Sequence, residues 1–181
     1  KILLLTPDCV FREVTEQHQF RTGDRIRFVF ESNIDGYLYI FHRGASTRGV
    51  QLFPDPRING GANFIRGRAQ YSIPPRVGAD AGWFTFDANI GDEQLIVFLS
   101  PAPIGNLNGI APAQPGAMVN PAGWNYVTAA VRDAEATPGT RDLFYESSGF
   151  QGEVNYGQPT MGYVVTQSPL LIHNMVLRHN P

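Results

Sequence analysis

Few residues in this chain belong to the types that carry out covalent chemistry. The single cysteine, Cys9, and the histidine His18 would form a nucleophile and base only if a sheet brought them together. Cys9 lies in a strand-like or turn segment without the local sequence of a cysteine protease, and the chain has no Gly-x-Ser-x-Gly elbow. We therefore predict that Cys9 is a buried thiol or a bridge between chains, and that the protein is not an enzyme.

Two further sets of residues have the chemistry of metal ligands but lack the spacing. The histidines are scattered, without the close pairs of a zinc helix or knuckle. The carboxylates lack the alternating ladder and central glycine of a calcium loop, so a solvated loop is the better interpretation. We predict no metal and no cofactor. The two sets are His18, His42, His173 and His179, and Asp80, Asp87, Asp92 and Glu93.

Two other catalytic or binding patterns give no positive signal. The pair Gly60-Gly61 is followed by neither a Lys-Ser/Thr step nor a helix, so it predicts a turn instead of a phosphate-binding loop. A glycosidase pair is left open, because its two carboxylates come from distant segments, but no feature of the sequence indicates one.

Arginine dominates the basic residues, because thirteen of the fourteen cationic side chains are arginine and Lys1 is the only lysine. Arginine is enriched in protein interfaces, where it forks onto carboxylates and stacks on rings. An arginine-rich genome would give the same composition. Between residues 43 and 76, six arginines face one aspartate, which gives +5; from residue 77 onward, three arginines and nine acidic residues give −6. The candidate interface residues are Arg43, Arg48, Arg57, Arg66, Arg68 and Arg76.

These side chains need elements to position them, and the clearest is a strand at residues 25–31. Charged and apolar residues alternate there, which places Ile26, Phe28 and Phe30 on one face. Asp35-Gly36 follows, and such a pair supplies the positive φ of tight turns. The sequence therefore predicts a β-hairpin over residues 25–41.

Shorter apolar runs between turn formers predict the remaining strands. Residues 101–123 carry five prolines and predict an irregular excursion, because proline lacks an amide donor. A short helix is predicted at 124–134, and residues 136–159 are predicted to be loop, except for a short strand at 143–145. The other predicted strands are residues 2–5, 50–53, 70–73, 83–86, 95–99, 162–165 and 170–177.

This spacing is typical of an all-β domain. We predict one Ig-like β-sandwich over residues 1–181, with eight or nine short strands, at most one short helix and a loop-rich insertion at 100–160. Aromatic residues between positions 37 and 71 could stack on bases or sugars, but core packing is the commoner role for alternating aromatics.

Charge and hydropathy limit the classes of partner and the cellular locations that we expect for this protein. A net charge of −2 and a pI near 6.1 argue against nucleic acid as a partner. No apolar run approaches the ~20 residues of a membrane span, so we predict no membrane insertion. The sequence begins at Lys1 instead of methionine, and we expect that an export signal has been removed.

Three motifs resemble the bacterial domain-of-unknown-function family DUF4384. They read F-x-x-G-D-x-[IV]-R at residues 20–27, N-x-D-G-Y-L-Y at 33–39 and L-F-P at 52–54. Later segments at 73–75, 83–87, 91–95, 99–100 and 177–179 also fit, whereas the region from 101 to 159 is more elaborate than the family pattern. The resemblance implies an envelope or secreted sensing or scaffolding module, in some proteins fused to caspase-like peptidases or kinases.

We therefore predict a non-catalytic structural protein that is secreted or on the cell surface, with the periplasm as an alternative. Its expected partners are copies of itself in a filament or tube, because unlike charged patches make head-to-tail contacts. The apolar segment at residues 2–5 is predicted to pair with the sheet edge of a neighbour. The alternative is a monomeric envelope module that binds a glycan or peptide, or acts as a scaffold.

Overall fold

The computed structural model describes residues 1–44, 48–76, 82–111, 114, 116–136, 142–144, 163–165 and 170–181. Within them lie fourteen strands and one α-helix. The elements are β1 (Ile2–Leu5), β2 (Phe11–Val14), β3 (Gln19–Arg21), β4 (Arg25–Glu31), β5 (Gly36–Arg43), β6 (Val50–Phe53), β7 (Phe64–Ile65), β8 (Gln70–Ile73), β9 (Phe84–Thr85), β10 (Gly91–Ser100), β11 (Ala117–Met118), α1 (Pro121–Ala136), β12 (Asp142–Phe144), β13 (Tyr163–Val165) and β14 (Leu171–Asn180).

Twelve of these strands form two sheets, which confirms the predicted all-β sandwich. The five-stranded sheet has the order β2-β1-β4-β8, with β9 also paired to β4. The seven-stranded sheet has the order β11-β6-β5-β10-β14-β3, with β7 also paired to β5. The strand number exceeds the predicted eight or nine, because β2, β3, β7 and β11 are two to four residues long and carry too little pattern to be recognised.

The main core lies between the two sheets. Ile26 and Phe28 of β4 are buried there, and Phe30 packs against them, as the alternation in this strand predicted. Opposite them, Leu38 and Ile40 of β5 point inward from the seven-stranded sheet. Each such side chain contributes about 1.5–3 kcal/mol when fully buried.

A second core covers the other face of the seven-stranded sheet. Tyr39 and Phe41 alternate with the inward residues of β5 and pack against Val127 and Val131 of α1. Central strands of this sheet are therefore apolar on both faces, and the aromatic residues Tyr39 and Phe41 are core residues.

Helix α1 starts three residues before the predicted position. The Asn120 Oδ1 accepts the backbone N–H of Gly123 at 2.8 Å, and Pro121 occupies the first helical position. An asparagine cap followed by proline is a favourable helix start, since proline has no amide to leave unsatisfied. Pro121 therefore belongs to the helix and not to the irregular excursion that the proline content predicts.

The predicted hairpin over residues 25–41 is wrong in its pairing, although both of its strands exist. Strand β4 belongs to the five-stranded sheet and β5 to the seven-stranded sheet, so the chain crosses between layers here. Gly36 does not adopt a positive φ, and an added Cβ would lie 2.8 Å from the carbonyl oxygen of Ser100. Glycine is needed for close approach between strands, not for a tight turn.

Two other expectations are changed or fall partly outside the described residues. Strand β1 lies between β2 and β4, with both of its edges paired, so it cannot add to a neighbour's sheet as predicted. Most of the loop predicted at 136–159 lies outside the described residues. In the part of the chain that the structure describes, no helix has the length and apolar character of a membrane span.

The close contact at Gly36 gives a direct test of the crossing. We expect Gly36→Ala to lower the free energy of unfolding by about 1–3 kcal/mol, because the new methyl group meets rigid backbone. Gly105→Ala is the control, since a methyl group added there would have no atom within 4 Å. Urea unfolding of both variants measures the difference, and equal stabilities would contradict the close packing of these strands.

Candidate functional site

The outer face of the five-stranded sheet carries a cluster of arginine and aromatic side chains. We call it the arginine–aromatic face and define it by Phe11, Arg25, Arg27, Arg76 and Trp83. Because Ile26 and Phe28 of β4 point into the core, their neighbours Arg25 and Arg27 point outward. Phe11 begins β2, Arg76 follows β8 and Trp83 precedes β9, so four segments meet on this face.

Arg27 is the centre of the face and is an unusual arginine, because it is 0% exposed. Its Nε and Nη2 donate to the carbonyl oxygen of Gly82 at 3.2 and 2.7 Å. Its Cζ lies 4.2 Å from the ring centroid of Trp83, within cation–π distance. Among the described residues its Nη1 has no hydrogen-bond partner. Buried polar atoms are rarely left in this condition, so Arg27 keeps one unused donor that solvent does not reach.

The surroundings of Arg27 disfavour its positive charge. Burial lowers the pKa of its guanidinium, and the positive charge of Arg76 lowers it further. Arginine nevertheless remains protonated in proteins, so the cost is an uncompensated charge. A carboxylate from outside the chain would relieve this cost and would gain strength from partial desolvation.

Aromatic rings surround this charge and extend to the surface. The rings of Phe11 and Trp83 lie 5.4 Å apart, with Arg25 5.9 Å from the Trp83 ring and Arg76 5.5 Å from the Phe11 ring. Phe11 is 48% exposed, and its neighbour Val10 is also exposed. The surface therefore combines apolar area with positive charge, the combination that is enriched in protein interfaces.

Glu13 adds an acceptor on the same face. It pairs with Leu3 of β1, and Leu3 pairs on its other side with Arg27, so the three residues form one row across the sheet. The Glu13 Oε2 lies 3.7 Å from the Lys1 Nζ, whereas its buried Oε1 has no partner among the described residues. Arg27 Nη1 and Glu13 Oε1, the two buried side-chain atoms that lack hydrogen-bond partners in the described residues, thus lie on one face of the sheet.

The predicted interface arginines occupy several different environments. Arg57 forms a salt bridge with the buried Asp55 at 2.6 Å, and Arg66 contacts the exposed Asp35 at 3.0 Å. Arg43 lies 5.9 Å from the Trp124 ring. Arg48 and Arg68 are exposed, and Arg68 has a positive φ of 62°. Of the six, only Arg76 belongs to the arginine–aromatic face.

Strand geometry separates members of the predicted set. Arg43 ends β5, whereas Arg66 directly follows Ile65, which pairs with Gly36 at the start of β5. Eight residues of strand span about 23 Å at ~3.3 Å per residue. Arg43 and Arg66 are therefore at opposite ends of the sheet, and no single contact of ordinary side-chain reach joins them.

Sequence reasoning missed Arg25, Arg27, Phe11 and Trp83 as parts of one site. A usable signal was present, because the alternation of β4 already placed both arginines on the outward face. The sequence pattern gave no indication that Trp83 would cover Arg27, since that contact depends on how the segment before β9 returns to β4.

Each of the other chemical candidates has its own local environment. Cys9 is exposed and free, with a φ of 63°, so the buried-thiol prediction is wrong. His18 packs edge-on against the Phe20 ring. Asp87 is hydrogen-bonded to Asn89, and Asp80 lies outside the described residues. Within the described ranges, no three side chains from His, Cys, Asp and Glu come together as metal ligands would.

Comparison with known proteins gives one family match, to part of the chain. Residues 19–103 match the family described as "Domain of unknown function (DUF4384)", and this segment runs from β3 through β10. The motif at 177–179 lies outside the match, so the resemblance is narrower than the sequence motifs predicted. No curated protein and no solved structure shows a significant match to the chain.

The buried Nη1 of Arg27, which has no hydrogen-bond partner among the described residues, predicts an unusual tolerance to removal of the charge. We expect Arg27→Met to change the free energy of unfolding by no more than about 1 kcal/mol, because loss of a buried charge offsets the lost bonds to Gly82. Arg27→Ala leaves a void beneath Trp83, and we expect it to cost about 2–3 kcal/mol. Denaturant unfolding measures both, and equal losses would mean that the guanidinium itself stabilises the free chain.

The contact between Asp35 and the Arg66 segment predicts a pH effect. The N–H of Gly67, and then the side chain of Arg66, lower the pKa of Asp35 from its ordinary value. A lowered folded pKa adds stability above the unfolded pKa, and this is lost as the pH falls through the folded value. We expect an NMR titration to give a pKa for the Asp35 carboxyl group below ~3.9. In Arg66→Gln this pKa should lie closer to ~3.9. Arg48→Gln is the control and should leave the pKa of Asp35 unchanged. An ordinary pKa for Asp35 in the wild type would contradict the contact with the Arg66 segment.

Proposed function

We propose that this protein, whose residues 19–103 match the DUF4384 family, is a non-catalytic assembly subunit that joins copies of itself through the arginine–aromatic face. The observation that carries the proposal is the buried Arg27, whose Nη1 has no partner in the described residues. Because Arg27 is 0% exposed, a carboxylate reaches it only when covering side chains such as Trp83 move aside, and it then forms a charge-assisted hydrogen bond in a desolvated setting. Truncating one partner of such a pair typically costs about 2–5 kcal/mol of binding.

The chain offers a complementary surface of its own in the segment that follows β9 and includes the first two residues of β10. We call residues 87–92 the acidic loop. Ile90 in this loop is 51% exposed, and exposed carboxylates lie on both sides of it at Asp87 and Asp92. The loop therefore combines an apolar side chain with negative charge, as the arginine–aromatic face combines rings with positive charge.

Local hydrogen bonds favour the ionised form of the Asp87 carboxyl group in the acidic loop. The backbone N–H of Asn89 donates to Asp87 at 2.7 Å, and its side chain donates at 2.8 Å. These bonds are the main reason that the pKa of Asp87 is lowered, with a smaller contribution from His179. A fixed carboxylate loses little conformational freedom on binding, which favours contact with Arg27 or its neighbours.

Unlike surfaces on one molecule produce a head-to-tail contact, which closes into a ring or continues as a filament. This is the basis for proposing a homopolymer instead of a two-fold dimer. The filament or tube form and the extracellular location stay predictions, and electron microscopy of the cell exterior is the measurement that addresses both.

Mixing two defective variants tests the head-to-tail contact. We expect Arg76→Glu to disable the arginine–aromatic face, Asp92→Asn to disable the acidic loop, and each variant alone to be monomeric. A one-to-one mixture should form dimers and no larger species, because one intact face then meets one intact loop. Analytical ultracentrifugation over a concentration series measures these states.

Arg48→Glu is the control, because it changes the same charge at an exposed position outside the face. It should associate like the wild type. A wild-type chain that remains monomeric at every concentration, or single variants that polymerise normally, would contradict the proposal.

A second candidate is a monomeric module that binds a glycan or peptide of the cell envelope. The exposed ring of Phe11, with Trp83 beside it, favours this function, because aromatic faces stack on sugars and apolar side chains. A strictly monomeric wild type in the centrifugation experiment would favour this candidate over assembly.

A further inference from the structure

A cavity of about 180 Å³ lies between the two sheets, behind the arginine–aromatic face. Most of its wall is apolar and comes from both sheets. The apolar lining includes Ile26, Phe28, Leu52, Phe84, Leu95 and Leu177. An engineered apolar cavity of about 150 Å³ in another protein holds benzene, so this volume suits one small ring.

Four polar residues line this space, and two of them, His42 and Glu93, bind each other. The other two are Thr85 and Asp87. His42 pairs with Leu95 across β5 and β10, and Glu93 pairs with Leu177 across β10 and β14. Paired residues share a face of the sheet, and Leu95 and Leu177 belong to the main core, so His42 and Glu93 face inward as well. Both also line the cavity.

The two side chains bind each other and are only partly exposed. The His42 Nε2 lies 2.6 Å from the Glu93 Oε2, and the side chains are 29% and 16% exposed. A histidine partner fixes the orientation of the carboxylate and leaves its second oxygen to accept another hydrogen bond. Polar groups placed in this way in an apolar pocket give orientation and selectivity to a small ligand.

We propose that this cavity binds a small molecule consisting of one apolar ring and one hydroxyl or N–H donor, with the ring among the core side chains and the donor on Glu93. Asp87 of the acidic loop also lines the cavity. The inference rests on the apolar wall and on the His42–Glu93 pair, so it does not depend on the proposed function.

Phenol and benzene are suitable probes, because they differ only in the hydroxyl group. We expect NMR titration of the full chain to show saturable binding of both, with amide shifts at the residues that line the cavity. A hydrogen bond to a carboxylate is stronger than one between neutral groups, so phenol should bind at least about tenfold more tightly than benzene.

Two variants on neighbouring positions of β14 test the location. Leu177→Phe fills the cavity and should weaken both probes at least about tenfold. Val176→Phe is the matched control, because it adds a similar ring to the next residue of the same strand, whose side chain is 39% exposed. It should leave both affinities unchanged.

Glu93→Gln tests the polar contact without filling the cavity. It should bring the phenol affinity toward that of benzene while benzene binding is kept, and it serves as the deciding variant if Leu177→Phe fails to fold. The proposal is overturned if the folded wild type binds neither probe, if the shifts map outside the cavity, or if phenol keeps its advantage in Glu93→Gln.

Discussion

Burial of both faces of the central strands β5 and β10 is the constraint on which the rest of the molecule depends. Leu38 and Ile40 point toward the five-stranded sheet, whereas Tyr39 and Phe41 point toward helix α1. A strand that is apolar on both faces requires a layer on each side, because its exposed face would otherwise place large aromatic area in water. The helix within the proline-rich region therefore completes the fold of the sheet.

This layering determines where the chain can present a binding surface. In the described residues, the helix covers the outer face of the seven-stranded sheet, and the outer face of the five-stranded sheet carries no helix. Arg27 lies on that second face, beneath one tryptophan ring. Its backbone is rigid because β4 pairs with β1, β8 and β9, so the charge is held in place before any partner arrives.

The crossing of the chain between β4 and β5 places the arginine–aromatic face on one sheet and part of the cavity wall on the other. Had these strands formed a hairpin, Arg27 and His42 would belong to the same sheet. Instead, Ser32 and the following residues carry the chain to the opposite layer, and Gly36 allows β5 to approach the end of β10. The inward side chains of β4 and β5 then face each other, and Ile26 and His42 become parts of one cavity wall.

The sequence by itself determined where most of the strands lie and which side of β4 is apolar, because a period of two follows directly from backbone geometry. For β4 this placed Ile26 and Phe28 inward and Arg27 outward, as observed. Only the tertiary structure decided that β4 and β5 lie in different sheets, that Trp83 covers Arg27, and that His42 meets Glu93. Alternation within a strand is local, whereas pairing between strands depends on the packing of residues far apart in the chain, which no short pattern encodes.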